Sequence, residues 1–171
     1  MERRDQFLVL VCDATGLDRE RLGDLEGRVL FQKVVYLAQE LGYDVSFRYS
    51  LYLRGPYCSE LADSGYRLLS DELGWTDVSR RMELQDHIKE QLGELARVFG
   101  DRDGQLSAGL LELTATVHFL VSHAFSGETL PVALSKAHEW VQKNKADLVW
   151  RFPEAKANLE TLHLLRPESA V

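Results

Sequence analysis

Phe47-Arg48-Tyr49-Ser50-Leu51-Tyr52-Leu53-Arg54-Gly55-Pro56-Tyr57 is where the period of this sequence changes. In that run Phe47, Tyr49, Leu51 and Leu53 alternate with Arg48, Ser50, Tyr52 and Arg54, the period-two pattern of a strand with one buried face. The alternation predicts a strand over 47–54, stopped at Gly55-Pro56 because proline lacks a backbone donor and restricts the residue before it. A lone strand leaves its edge groups unpaired, so it needs a neighbour: Val45, the stretch from Trp75 to Val78, or a second subunit.

On either side the period is helical. Leu30, Phe31, Val34, Leu37, Ala38 and Leu41 define a core helix over 28–41 that Gly42 ends. Upstream, the apolar run from Phe7 to Cys12 is short enough for a strand or a helix. The shared face of Phe7, Leu10, Val11 and Ala14, with Gly16 as a stop, favours a helix. Downstream, Ser59 is placed to cap a helix running through Glu72, with Gly65 inside it at an intrinsic cost of about 1 kcal/mol against alanine. Further helices are expected from Leu84 to Phe99, from Leu106 to Ala124 as an amphipathic element, from Thr129 and Pro131 onward, and from Pro153. Gly100-Asp101-Arg102-Asp103-Gly104 reads as the clearest loop.

The expected fold is therefore mainly α, a multi-helix domain with a small β-sheet. One domain spans 1–171, with a helical part carrying the sheet over 1–99 and a carboxy-terminal helical part over 105–166. Hydrophobic residues make up 45% and charged residues 27% of the 171, an ordinary globular balance. The formal charge of -7 repels polyanions, so nucleic-acid binding would need a local basic patch. Arg3, Arg4, Arg19, Arg21, Arg80 and Arg81 are interspersed with acidic residues and form no long tract. The sequence presents neither a signal-peptide pattern nor an apolar run approaching about 18 residues, and cytoplasmic residence without membrane insertion is the default expectation.

Little of the sequence points to catalysis. Cys12 and Cys58 lack the spacing of a redox pair or a zinc site and read as buried or half-buried thiols. His118 and His123 are five apart, about 140° around a regular helix, which argues against joint metal ligation. No catalytic, metal or cofactor residue is assigned, and neither nucleotide-binding glycine motif occurs. Trp140 and Trp150 are read as packing or interface residues rather than a cofactor box. The most specific segment is Tyr52 to Leu61. Leu53 fixes the strand, Gly55-Pro56 makes a corner, Tyr57 packs the junction and Ser59 caps the helix. The same corner offers Arg54, Tyr57 and Glu60 as partner-facing residues, because Arg and Tyr combine apolar area with a polar tip.

Arg28 to Ala38, with Gln32-Lys33 at its centre, Phe47 to Leu53, Gly55-Pro56-Tyr57 with Glu60-Leu61, and Glu112 to Leu120 together resemble the YwgA-like family of bacterial and archaeal proteins. They resemble more remotely the SocA-like, Panacea-domain antitoxins. The resemblance implies a mainly helical protein with winged-helix-like relationships in its amino-terminal part. It makes Gln32, Lys33, Gly55, Pro56 and Tyr57 pattern positions without a catalytic role. The chain departs from a common GPYS pattern by placing Cys58 after Tyr57, and Arg54 stands where histidine or an aromatic is frequent. In the distant antitoxin group such domains act through protein contacts.

An interaction or regulatory module, possessing a protein partner and open to homodimer formation, is thus the leading expectation. A winged-helix DNA-binding regulator comes second. The helix after the corner carries Glu60, Asp63, Asp71 and Glu72 against Arg67, which opposes phosphate contact. A hydrolase with an unrecognised site is third.

Overall fold

The computed structural model describes residues 1–43 and 45–165. Arg166, the expected end of the carboxy-terminal part, and the stretch from there to 171 lie outside the described residues. The fold is mainly helical with one small antiparallel sheet. Its elements are α1 (Arg3–Thr15), a 3-10 turn (Arg19–Gly23), α2 (Leu25–Glu40), β1 (Ser50–Tyr52), β2 (Gly55–Tyr57), α3 (Ser59–Ser70), α4 (Glu72–Arg81) and α5 (Asp86–Phe99). Then come α6 (Ala108–Phe119), α7 (Leu130–Asn144) and α8 (Phe152–Thr161).

Two helices form the centre. From Val29 to Ala38 every residue of α2 is buried, and from Leu110 to His118 so is every residue of α6. The expected amphipathic helix over 106–124 is therefore corrected: α6 is apolar nearly all round because it is enclosed by α2, α7, α8 and the hairpin. It is also shorter than the pattern implied. From Leu120 to Ala124 the backbone widens into a π-turn, closed by Phe125 N–H donating to the Leu120 carbonyl at 2.7 Å. On the far side of α2, α1 packs against α4 and α5.

The strand over 47–54 is corrected too. Only Ser50–Tyr52 joins a ladder, and its partner is none of the expected ones: Gly55–Tyr57 folds back on it with Ser50 opposite Tyr57 and Tyr52 opposite Gly55. The Gly55-Pro56 corner does not stop a strand; it begins the second one. Val45 lies outside both strands, and Trp75 to Val78 belong to α4. Proline is tolerated in β2 because the Pro56 carbonyl accepts from Lys33 at 2.7 Å, so the polar side of that residue faces α2 and its missing N–H costs no ladder bond.

The backbone of Phe47 finds its partner in a side chain. The Gln39 amide accepts from Phe47 N–H and donates to the Phe47 carbonyl, both at 3.0 Å. One turn pair earlier on α2, Gln32 does the same for Cys58, accepting at 2.9 Å and donating at 2.8 Å. Two glutamines of one helix thus stand in for the neighbouring strand.

The expected single helix from Ser59 through Glu72 is broken at Asp71, whose carboxylate accepts from Gly74 N–H at 2.9 Å and caps α4. Gly65 of α3 lies against the Phe31 ring, where a Cβ would be 3.2 Å from a ring carbon, so close helix packing offsets its poor helix propensity.

Candidate functional site

Polar residues on a wholly buried helix must find partners inside the protein. On α2 and α6 those residues include Gln32, Lys33 and Glu112, whose partners fasten the hairpin. Besides the Gln32–Cys58 pair, the Lys33 ammonium holds the Pro56 carbonyl. Glu112 receives the Lys145 ammonium on Oε1 at 2.5 Å and the Arg54 Nε on Oε2 at 2.8 Å. Lys145, at the end of α7, also donates to the Leu53 carbonyl at 2.8 Å. Gly55 takes φ +86°, and a Cβ there would sit 2.6 Å from the Thr116 hydroxyl, so this position excludes any side chain.

The cluster sets three cations around one carboxylate. Burial pushes the Lys33 amine down to about 7; Lys145 and Arg54 push the same way and Glu112 opposes them. Near neutral pH Lys33 is thus shared between its charged and neutral forms.

Above this cluster α2, the hairpin and α3 enclose an apolar groove of about 380 Å³. Phe31, Ala62 and Gly65 are among its apolar residues. Its edge exposes an apolar and aromatic set: Leu53 is 82% accessible, Tyr52 64%, Leu25 61% and Tyr66 54%. Arg28, Lys33 and Arg54 contribute to the lining, and no Asp or Glu does so among the described residues. The Arg28 guanidinium lies 5.7 Å from the Tyr66 ring centroid.

Of the residues singled out from the sequence, Gln32, Lys33, Arg54, Gly55 and Tyr57 all line this groove, with Pro56 bonded to Lys33. Tyr57 stacks obliquely on Tyr52, their centroids 5.8 Å apart. Glu60 is elsewhere, paired with Arg4 of α1 at 2.5 Å. Ser59 is corrected: it is the first residue of α3, while Cys58 occupies the cap position and no side chain caps it. The cap site is held instead by the Gln32 clamp on the Cys58 backbone. Leu53 does not fix the strand to the core; it projects from the hairpin tip. Trp150 is 73% exposed rather than packed, with its indole N–H on the Asp147 carbonyl at 3.0 Å.

Glu112, Thr116, Lys145 and Tyr66 were missed as site residues. Glu112 carries a readable signal, a lone charge inside an apolar run. Lys145 carries none, since nothing in its neighbourhood distinguishes it from a solvated helix-end lysine.

The histidine reading is corrected as well. The π-turn removes the angular gap between His118 and His123, whose rings meet edge to face at 6.1 Å. With Glu40 at the end of α2 they form a group whose ligand atoms all lie within 4.8 Å of one another. Burial, reinforced by His123 and opposed by a hydrogen bond to the Leu164 backbone, lowers His118 to about 4 and keeps its imidazole neutral.

No protein-family model, curated protein or solved structure matches the chain.

Proposed function

We propose that this chain is a protein-interaction module of regulatory type, which receives an acidic partner segment with an apolar anchor in the groove beside the hairpin. The observation that carries this reading is the groove itself: apolar, bordered by exposed Tyr52, Leu53 and Tyr66, and lined by Arg28, Lys33 and Arg54 without a carboxylate on a chain of net charge -7. Exposed apolar area with charged edges is a mark of protein contact surfaces, and Tyr and Arg are the residues such contacts favour. The local positive charge selects an acidic flank, while the overall negative charge disfavours nucleic acid. The resemblance to YwgA-like proteins, and beyond them to SocA-like antitoxins, supports the same class of action. The DNA-binding reading is weaker, because Glu60 and Asp63 lie on the helix after the hairpin and Arg67 of that helix is engaged by Asp5.

Selection of displayed random peptides against the full chain tests this. The expected motif is a Leu or aromatic anchor beside Asp or Glu. By calorimetry, Arg54→Ala and Tyr66→Ala should each weaken a selected peptide by about 1–3 kcal/mol, with the fold retained by circular dichroism. Peptides of basic character, or affinities that both variants leave unchanged, would reject the groove as the contact surface.

A further inference from the structure

The second cluster of polar side chains lies at the other end of α2. Glu40 is on the last turn of that helix, His118 on the last turn of α6 and His123 within the π-turn. The Glu40 carboxylate is 3.5 Å from His123 Nε2 through Oε1 and 4.0 Å from His118 Nε2 through Oε2. In a tetrahedral zinc site with bonds of about 2.0–2.1 Å, neighbouring ligand atoms are about 3.3 Å apart. The Glu40–His123 edge is already close to that value. The remaining edges, none longer than 4.8 Å, need only small side-chain rotations.

Three further features fit a ligand at this point. The Tyr36 hydroxyl lies 2.7 Å from His118 Nδ1 and the Ser122 hydroxyl 3.2 Å from its Nε2; in the Nδ1–H tautomer the ring donates to Tyr36, and the Nε2 lone pair becomes available to a metal once Ser122 turns aside. A cleft of about 190 Å³, lined by Tyr36, Glu40, Phe47, Tyr49, Phe119 and His123, gives access from solvent. Tyr49 brings to that cleft a buried hydroxyl with no hydrogen-bond partner among the described residues. A buried hydroxyl left without a partner on a residue lining the same cleft is a polar group that a bound ligand could satisfy.

The geometry points to a binding site for a divalent first-row transition ion, held by Glu40 and by Nε2 of His118 and His123, with its fourth position open to the cleft. Two imidazoles and one carboxylate suit Zn(II) and its neighbours, whereas Mg(II) and Ca(II) favour oxygen ligands throughout. Three protein ligands leave room for a water or an exogenous donor. The π-turn is the device that makes the site: in a continued α-helix His123 would face away from His118. This inference is independent of the groove.

The test uses the full chain stripped with a chelator, then titrated with Zn(II) by calorimetry and with Co(II) by its visible absorption. The expected result is one equivalent of Zn(II) bound at micromolar or tighter affinity, a Co(II) spectrum of low coordination number and no comparable binding of Mg(II). His123→Ala changes a half-exposed side chain. It should weaken Zn(II) by at least about tenfold with the fold retained, as should Glu40→Gln. Tyr36→Phe removes only the hydroxyl that orients His118, and it should cost about 10–100-fold, the range for such supporting contacts. Failure to bind one equivalent would overturn the site. Equal affinity in the His123→Ala chain would do the same, placing the metal on another histidine.

Discussion

Lys33 concentrates the chemistry of the groove in one residue. Its ammonium holds the Pro56 carbonyl, yet burial and the adjacent Lys145 and Arg54 bring its amine from an ordinary 10.5 to about 7. Between those values the unfolded chain keeps the proton that the folded chain has released. The unfolded state then holds more protons, so stability gains from Lys33 as pH rises through this window. The slope is at most about 1.4 kcal/mol per pH unit. Lys33→Met keeps the length and removes the titration. The stability of the native chain relative to this variant, measured by urea unfolding, should climb between pH 7 and 9. Subtracting the variant cancels the thiols and tyrosines, which titrate in both. A difference independent of pH would mean that Lys33 keeps its charge, and that Glu112 outweighs its burial.

At the scale of elements, the hairpin is the part that its own ladder stabilises least. Three residues pair on each side, and an isolated hairpin of that size is marginal in water. Helices hold it: Gln32, Lys33 and Lys145 take the carbonyls of Cys58, Pro56 and Leu53. Gln32→Ala would leave the buried N–H of Cys58 without a partner, at about 1–3 kcal/mol, while the Cys58 carbonyl keeps the Ala62 N–H at 3.1 Å. Gln39→Ala should cost less, because its bonds to Phe47 are only partly buried and water can replace them. Urea midpoints of the two variants measure the difference; equal losses would count against the clamp at Cys58 as the stronger fastening.

The same element marks the limit of what could be read from the sequence. Alternation correctly identified the buried side of Phe47, but it reports side-chain direction and not who pairs with the backbone. It therefore extended the strand back to Phe47, whose backbone Gln39 serves, and carried Leu53 inward when the turn points it out. The helices were legible because their apolar period persists through many turns, and Gln32, Lys33, Gly55 and Tyr57, singled out from the sequence, come together along one groove. The break at Asp71 and the π-turn at Leu120 were not legible, since each changes backbone geometry without interrupting the apolar period.

Across the whole molecule, the wholly buried stretches of α2 and α6, Val29 to Ala38 and Leu110 to His118, make the centre around which the rest is laid. Apolar residues from every helix join one contiguous core. The two thiols sit at different depths of dependence on that core. Cys12, fully enclosed in α1, has its ionisation pushed up chiefly by burial. Cys58 is also buried, but it lies where the hairpin meets α3, under the Gln32 clamp. An alkylating reagent reaches neither in the closed state, so each thiol keeps time on the opening event that uncovers it. Cys58 should be modified when the hairpin lifts from α2, with little response to dilute urea, since such an opening exposes little surface. Cys12 should wait for the core to come apart and should speed up steeply with urea. Mass spectrometry of pulse-alkylated protein separates the two clocks. Equal rates with equal urea dependence would mean that hairpin and core come undone together, as a single cooperative unit.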